Sequence, residues 1–185
     1  MKKIVFLCAS AAALAAFATP ASAAVKSGGR IEAITGYDHV SIDAGGGVVV
    51  SASGVTFGLG AGYDFAVGEK VALGLDVEAT EATTDLDPTP TDSVSAKRDL
   101  YAGARLTTAL SDTVNLYFKA GYTNARFAAT SGGISASGNL DGVRGGAGVQ
   151  FAIGKSAYIG GEYRYSNYEA DVSRHQGVLA LGFRF

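Results

Sequence analysis

The sequence lacks residue types that several classes of function require. Its only cysteine, Cys8, lies in the first ten residues, within a segment that we expect to be removed from the finished protein. Disulfides, thiol catalysis and thiolate metal sites are therefore excluded from the rest of the chain. Charged residues make up only 17% of the sequence, and the lysines and arginines do not cluster as nucleic-acid binding requires. We expect no nucleic acid partner.

Long apolar runs are absent as well, apart from one near the N-terminus. Two lysines precede an apolar stretch over about 4–18, and a triplet of small residues ends at Ala23. This order is typical of a secretory signal peptide, so we predict a cleaved segment, 1–23, and one domain, 24–185. Removing 23 of the 185 residues leaves 162, among them 13 basic and 17 acidic residues. No later segment approaches the roughly 18 unbroken apolar residues of a membrane helix, so any membrane crossing would need strands.

The chain after residue 23 repeats one pattern, in which apolar residues alternate with small or polar ones over about ten residues. A period of two indicates β-strands. The breaks 68–70, 111–113 and 154–156 are short and predict hairpin turns, whereas 42–53, 85–97, 130–138 and a briefer break at 171–174 predict loops. The eight segments lie near Arg30–Asp38, Gly54–Ala66, Val71–Glu81, Arg98–Leu110, Val114–Ala125, Leu140–Ile153, Ala157–Tyr168 and Gln176–Phe185. The pattern predicts an all-β fold, an eight-stranded antiparallel up-and-down transmembrane β-barrel.

The period alone does not say whether the apolar faces point to lipid or into a soluble, ligand-carrying barrel. Glycine-rich polar faces suit the crowded lumen of a small membrane barrel, whereas a water-facing exterior would carry more lysine and glutamate. Aromatic residues also lie near the strand ends, as in Tyr63 and Phe65, where interfacial girdles are expected. Both features favour outward apolar faces.

The last segment carries a family resemblance. Its outward face holds Leu179, Leu181, Phe183 and Phe185, and it ends in phenylalanine. It resembles the C-terminal strand that serves as the insertion signal of outer-membrane barrels. With its strand count, the chain resembles the small eight-stranded outer-membrane β-barrel family, which includes outer membrane protein A and X type barrels and opacity-type, porin-like proteins. The resemblance implies a Gram-negative outer membrane, contact with its lipid and lipopolysaccharide, and assembly by the barrel assembly machinery.

With the apolar faces outward, charged side chains collect in the lumen and nearly balance. An eight-stranded barrel is about wide enough to be filled by side chains, and buried charges must be paired. We therefore predict a lumen plugged by ion pairs and a role as envelope scaffold or surface protein, with a small-solute, porin-like channel as the alternative. The predicted network comprises Glu32, Asp76, Glu78, Arg105, Lys119, Arg144, Glu162, Arg164 and Arg184.

The remaining chemistry is sparse, and we predict no enzyme, cofactor or metal site. His39 and Ser41 would share one face of a strand, and related barrels that deacylate lipid A use His, Ser and an acid on their outer surface. No acidic partner is identifiable, so the surface deacylase stays a third hypothesis. The acidic loop that contains Asp85, Asp87 and Asp92 is expected to be solvated, with divalent bridging to lipopolysaccharide as the alternative. The sequence names no ligand for the external loops.

Overall fold

The computed structural model describes residues 25–43, 45–89, 92–131 and 134–185, and the side chains of all of these except 86–89, 92–94, 131, 134 and 135. The predicted signal peptide lies outside the described residues. No helix in the described ranges is long and apolar enough to cross a membrane. The strands are β1 (Gly28–Asp43), β2 (Val49–Ala66), β3 (Val71–Ala82), β4 (Asp85–Thr89), β5 (Asp92–Ala109), β6 (Val114–Ser131), β7 (Ile134–Ala152), β8 (Ala157–Tyr168) and β9 (Val172–Arg184).

The sheet closes on itself. Neighbouring strands pair antiparallel in chain order, and β1 pairs with β9 from Arg30↔Arg184 to Ile42↔Val172. The short β4 pairs only with β5, whose other residues pair with β3. Strand β4 therefore extends the barrel wall beyond the end of β3 and is not a ninth strand around the barrel. The predicted eight-stranded antiparallel barrel is confirmed.

The strands run further than predicted at one end of the barrel. Predicted loops at 42–53, 85–97 and 130–138 are largely strand, since β1 and β2 stay paired to Asp43↔Val49 and β6 and β7 to Ser131↔Ile134. The predicted loop limits were wrong because these extensions face water on their outer side and lose the apolar alternation, while their backbones still pair. Asp85 begins β4, and the side chains of Asp87 and Asp92 lie outside the described part.

The two ends of the barrel differ. At the turn end, the three predicted tight connections are confirmed by backbone bonds such as Val67 N to Val71 O, 3.0 Å. Both described termini meet this end, since the Gly29 amide donates to the Phe185 carbonyl. At the loop end, the turn between β1 and β2 contains Gly45, Gly46 and Gly47 with φ of +79°, +63° and +82°, values that suit glycine.

The faces alternate as predicted. Outward side chains are apolar and exposed, for example Leu59 at 68% and Leu75 at 62%. Inward neighbours such as Thr56, Asp64 and Asp76 are buried. Because the interior formed by the described residues is largely polar and charged, it does not provide the lining that a soluble carrier of apolar ligands needs. The exposed apolar band instead suits contact with lipid.

Candidate functional site: the charged lumen

Of the charged side chains that the structure describes inside the barrel, fourteen form ion pairs, seven acidic and seven basic. Their contacts divide them into two groups, and each group has equal numbers of acids and bases. The turn-end cluster contains Arg30, Glu32, Asp64, Asp76, Arg105 and Arg184. The loop-end cluster contains Asp38, Glu78, Asp99, Lys119, Arg144, Glu162, Arg164 and Arg174.

The turn-end cluster joins β1, β2, β3, β5 and β9. Arg30 pairs with both Asp64 and Asp76. Arg105 Nε donates to Asp76 at 2.7 Å, and Arg184 Nη1 donates to the second oxygen of Asp64 at 2.8 Å. Each of the two aspartates is thus shared between two arginines, which compensates for its removal from water.

At the centre of the loop-end cluster, two carboxylates alternate with two cations. Lys119 Nζ lies 2.5 Å from Glu78 and 2.8 Å from Glu162. Arg164 lies 2.9 Å from Glu78 through Nη1 and 2.6 Å from Glu162 through Nε. This closed ring crosses the lumen from β3 to β6 and β8.

The loop-end cluster continues upward from this ring. Arg174 donates to Asp38 at 2.6 Å and to Asp99 at 2.9 Å, and Arg144 also pairs with Asp99. The Thr123 hydroxyl donates to the other oxygen of Asp99 at 2.6 Å. Asp38, from β1, is thereby tied to β9 across 136 positions of sequence.

Tyrosines fill the space that inward glycines leave. A Cβ at Gly182 would lie 2.1 Å from the Tyr158 ring, and one at Gly148 would lie 2.5 Å from the Tyr117 ring. Tyr117 also donates to Glu162, 2.7 Å away. At these two positions the glycine leaves room for a tyrosine ring, so tyrosine occupies part of the space beside the ion pairs.

Apolar side chains lie above and below the charged clusters. Toward the loop end, Val40, Tyr168 and Val172 belong to one buried cluster that partly buried Phe127 packs against. Toward the turn end, a smaller cluster consists of Val25, Ala72 and Ala109. The charges thus lie between two layers that water enters reluctantly.

The structure brings all nine predicted lumen residues inside the barrel, and each takes part in at least one ion pair. Five further members were not predicted: Arg30, Asp38, Asp64, Asp99 and Arg174. The period of two could have found Asp64 and Asp99, because each lies on the polar face of its segment. Arg174 could not be found this way, because the sequence placed it in a loop.

The predicted insertion-signal residues lie on the outer face of β9 and just beyond its end. Leu179, Leu181, Phe183 and Phe185 are all exposed, with Phe185 at 74%. These exposed side chains are accessible to lipid or to another protein.

The predicted histidine and serine also lie on the outer wall. Ser41 Oγ is 3.3 Å from His39 Nε2, and His39 Nδ1 is 2.9 Å from Ser53 Oγ. A serine hydroxyl thus occupies the position where a hydrolytic triad has its carboxylate. His175 lies directly opposite His39 in the sheet, and its Nδ1 is 2.6 Å from the Tyr163 hydroxyl.

Comparison with known proteins agrees with this geometry. The structure is similar to the attachment invasion locus protein Ail of Yersinia pestis, with a TM-score of 0.60 and 19% identity over 85% of this chain and 99% of that one. It is also similar to Neisserial surface protein A, with a TM-score of 0.65 and 17% identity over 85% and 97%. The N-terminal β-barrel domain of Pseudomonas aeruginosa OprF is similar as well, with a TM-score of 0.54 and 11% identity over 86% of this chain and 100% of that one. At these identities the likeness concerns the fold.

No curated protein matches the sequence. A family model does match: the outer membrane protein beta-barrel domain aligns with residues 9–185, which is nearly the whole chain. The chain therefore belongs to the outer membrane protein beta-barrel domain family, and this family implies a location in the outer membrane.

Proposed function

We propose that the chain is exported, loses residues 1–23, and serves in the outer membrane as a closed scaffold that presents its hairpins at the cell surface. The family and the exposed apolar band support the membrane location. The order of charged, apolar and small residues before Ala23 supports export. The partners follow from this location: they are outer-membrane lipid, lipopolysaccharide and the barrel assembly machinery. The assembly machinery would recognise the outward side chains of Leu179, Leu181, Phe183 and Phe185.

One observation carries the proposal of a closed lumen: among the described residues, seven acids and seven bases are paired inside it, in two neutral groups. A conducting pore needs a water-filled path, whereas here the ring around Glu78 and Glu162 spans the interior. The tyrosines beside it and the apolar layers above and below add further obstruction. The lumen therefore acts as the barrel's core.

The strand extensions at the loop end support a surface role. The upper parts of β1, β2, β6 and β7 rise beyond the apolar band, and outward residues described there, such as Ser41, Ser51 and Asn139, are polar. One similar structure is an attachment invasion locus protein and another is a surface protein. From these we extend to this chain only the exposure of its hairpins, because at such identities the likeness concerns the fold.

A narrow small-solute channel is the alternative, and one observation favours it. The Tyr101 hydroxyl, Arg105 Nη1 and Thr107 Oγ1 are buried without a hydrogen-bond partner among the described residues. Buried polar groups of this kind commonly bind water. A continuous file of such waters past the ion pairs would form a conducting path.

Single-channel recording of the refolded chain in a planar bilayer separates the two functions. Heat-dependent gel migration first verifies that the barrel has folded. We expect no conductance steps from the unmodified chain. Replacing Glu162 and Arg164 together by alanine keeps the charges balanced but removes the side chains that cross the lumen, so steps should appear. Ile159→Ala, on the outer face of the same strand, should show no conductance steps. Reproducible steps from the unmodified chain would establish the channel instead.

We infer that the surface deacylase activity is absent, because Ser53 rather than a carboxylate contacts Nδ1 of His39. Incubating the refolded chain with lipid A and measuring released fatty acid by mass spectrometry tests this. No release is expected. Release that disappears in Ser41→Ala would contradict the inference and identify Ser41 as a nucleophile.

A further inference from the structure

We propose that the outer wall holds a binding site for a lipid with a phosphorylated headgroup, formed by β8, β9, β1 and β2. The site would lie beside the closed lumen and use none of the lumen's charges. This site rests on the proposed membrane location, since the wall contacts lipid only if the barrel lies in a membrane.

The site lies where the outer face changes from apolar to polar. On β9 the outward residues proceed from Leu179 to His175 and Ser173, and on β1 they proceed from Ile31 to His39. Imidazoles and phenols at such a boundary lie at the level of lipid headgroups. The phosphate of a neighbouring lipid is therefore at the same level as these side chains.

A slot opens in the wall just below the histidines. Gly177 faces outward on β9 and pairs with Tyr37 on one side and Tyr163 on the other. A Cβ at Gly177 would meet no atom within 4 Å. The slot therefore has backbone as its floor and two tyrosines as its walls, and it is open to a ligand from the membrane.

Hydrogen-bonding groups surround the upper edge of this slot. His39 and His175 are directly opposite each other, and the Nδ1 atom of each is bonded to a hydroxyl, that of Ser53 and that of Tyr163. Neither contact involves a carboxylate that would compete with an anion. The next outward carboxylate along β1, that of Asp43, accepts from an amide in the hairpin above. His39 Nε2 lies 3.3 Å from Ser41 Oγ, so the donors that suit a phosphate at this edge are the hydroxyl groups and the imidazole of His175.

An apolar depression of about 230 Å³ lies directly below the slot. It shares Ala33 and Leu181 with a larger depression of about 910 Å³, which extends across β2 and β3 to Leu100 of β5. The outward side chains that line the smaller one are those of Ala33, Thr35, Ile159, Leu179 and Leu181, whereas Ile34 and Ala180 are buried inside the barrel. Hydrogen-bond donors above an apolar depression suit an amphiphile, whose polar headgroup and acyl chain could bind to each in turn. Free phosphate would leave the depression empty, so we assign the site to a lipid whose acyl chain lies in the depression.

The chain offers a direct probe, because it has only two histidines and both belong to the site. We would refold the untagged chain in lauryldimethylamine oxide, a detergent without phosphate, and follow the two imidazole signals by NMR at constant pH. The titrants are dihexanoyl phosphatidic acid, dihexanoyl glycerol and inorganic phosphate. We expect both signals to shift saturably with phosphatidic acid, and about tenfold weaker binding of each of the other two.

Variants then locate the binding. Gly177→Val fills the slot at a position with open space, so it should fold and lose binding, and His175→Gln should weaken binding about tenfold, read from the remaining imidazole. Ala104→Val, exposed on β5 across the barrel, should bind as the unmodified chain does.

The outcomes are distinct from those of the conductance experiment. Shifts that never saturate, that are equal with dihexanoyl glycerol, or that survive Gly177→Val would overturn the site. Equal affinity for inorganic phosphate would overturn the role of the acyl chain. If the barrel folds and shows no conductance steps but the imidazole signals do not respond to phosphatidic acid, the closed scaffold is supported and the lipid site is refuted.

Discussion

Replacing Glu78 by glutamine tests whether charge balance in the lumen stabilises the barrel. Glu78 lies 2.5 Å from Lys119 Nζ, 2.9 Å from Arg164 Nη1 and 3.7 Å from Arg144 Nη1. Glutamine has nearly the same volume, so the change removes the charge and leaves the packing. The loop-end cluster would then hold four cations against three carboxylates, away from water.

The magnitude follows from the burial of this cluster. Removing one partner of a buried ion pair costs about 3–5 kcal/mol, because the charge left behind is uncompensated. With a dependence on urea of about 2 kcal/mol per molar, the unfolding midpoint of Glu78→Gln should fall by about 2 M. The folded fraction in lipid vesicles can be read from heat-dependent gel migration across a urea series.

The control restores charge balance by a second change. Combining Glu78→Gln with Lys119→Met leaves three cations and three carboxylates, and methionine keeps an apolar stem in the space of the lysine. We expect the double variant to recover a good part of the lost stability. The reasoning would be refuted if Glu78→Gln shifted the free energy of unfolding by less than about 0.5 kcal/mol, the range of ordinary surface changes. A double variant less stable than the single one would refute it equally.

Three further predictions concern the wall. Leu59→Lys places a charge in the lipid-facing band and should cost about 2–4 kcal/mol in vesicle urea titrations, far more than Val49→Lys on the same face above the band. Gly58→Val should prevent folding in the gel assay, because a Cβ there would lie 2.2 Å from a carbonyl oxygen of β3, whereas Gly145→Val has open space and should fold. Phe185→Ala should lower the amount of folded barrel in cells without changing refolding of the purified chain; equal losses in both would refute its role as an insertion signal.

The sequence was sufficient for the architecture because the lipid-facing band repeats one physical pattern. Each strand there must present apolar side chains to lipid and small or polar ones to the lumen, which produces the period of two seen at Val71–Glu78. The same pattern failed above the band. Around Val49 the sequence no longer alternates regularly between apolar and polar residues, so the period of two does not distinguish a paired hairpin from a loop there.

The membership of the ion-pair network could be predicted, but its division into two groups could not. That Glu78 and Lys119 point inward follows from the alternation of apolar and polar residues in their own strands. Their contact depends on which residues of β3 and β6 reach the same level of a tilted barrel, and this depends on the register of every strand between them. The contact of Asp38 with Arg174 likewise requires closure of β1 on β9, which pairing between sequence neighbours does not reveal.

That closure is what neutralises both clusters. Strand β9 contributes Arg184 to the turn-end cluster and Arg174 to the loop-end cluster. Without β9 the first cluster has three acids and two bases and the second has four acids and three bases, so each has one excess negative charge. Buried charge of one sign opposes insertion into lipid. Among the described residues, the last strand therefore completes the backbone hydrogen bonds and the charge balance of both clusters in the same step.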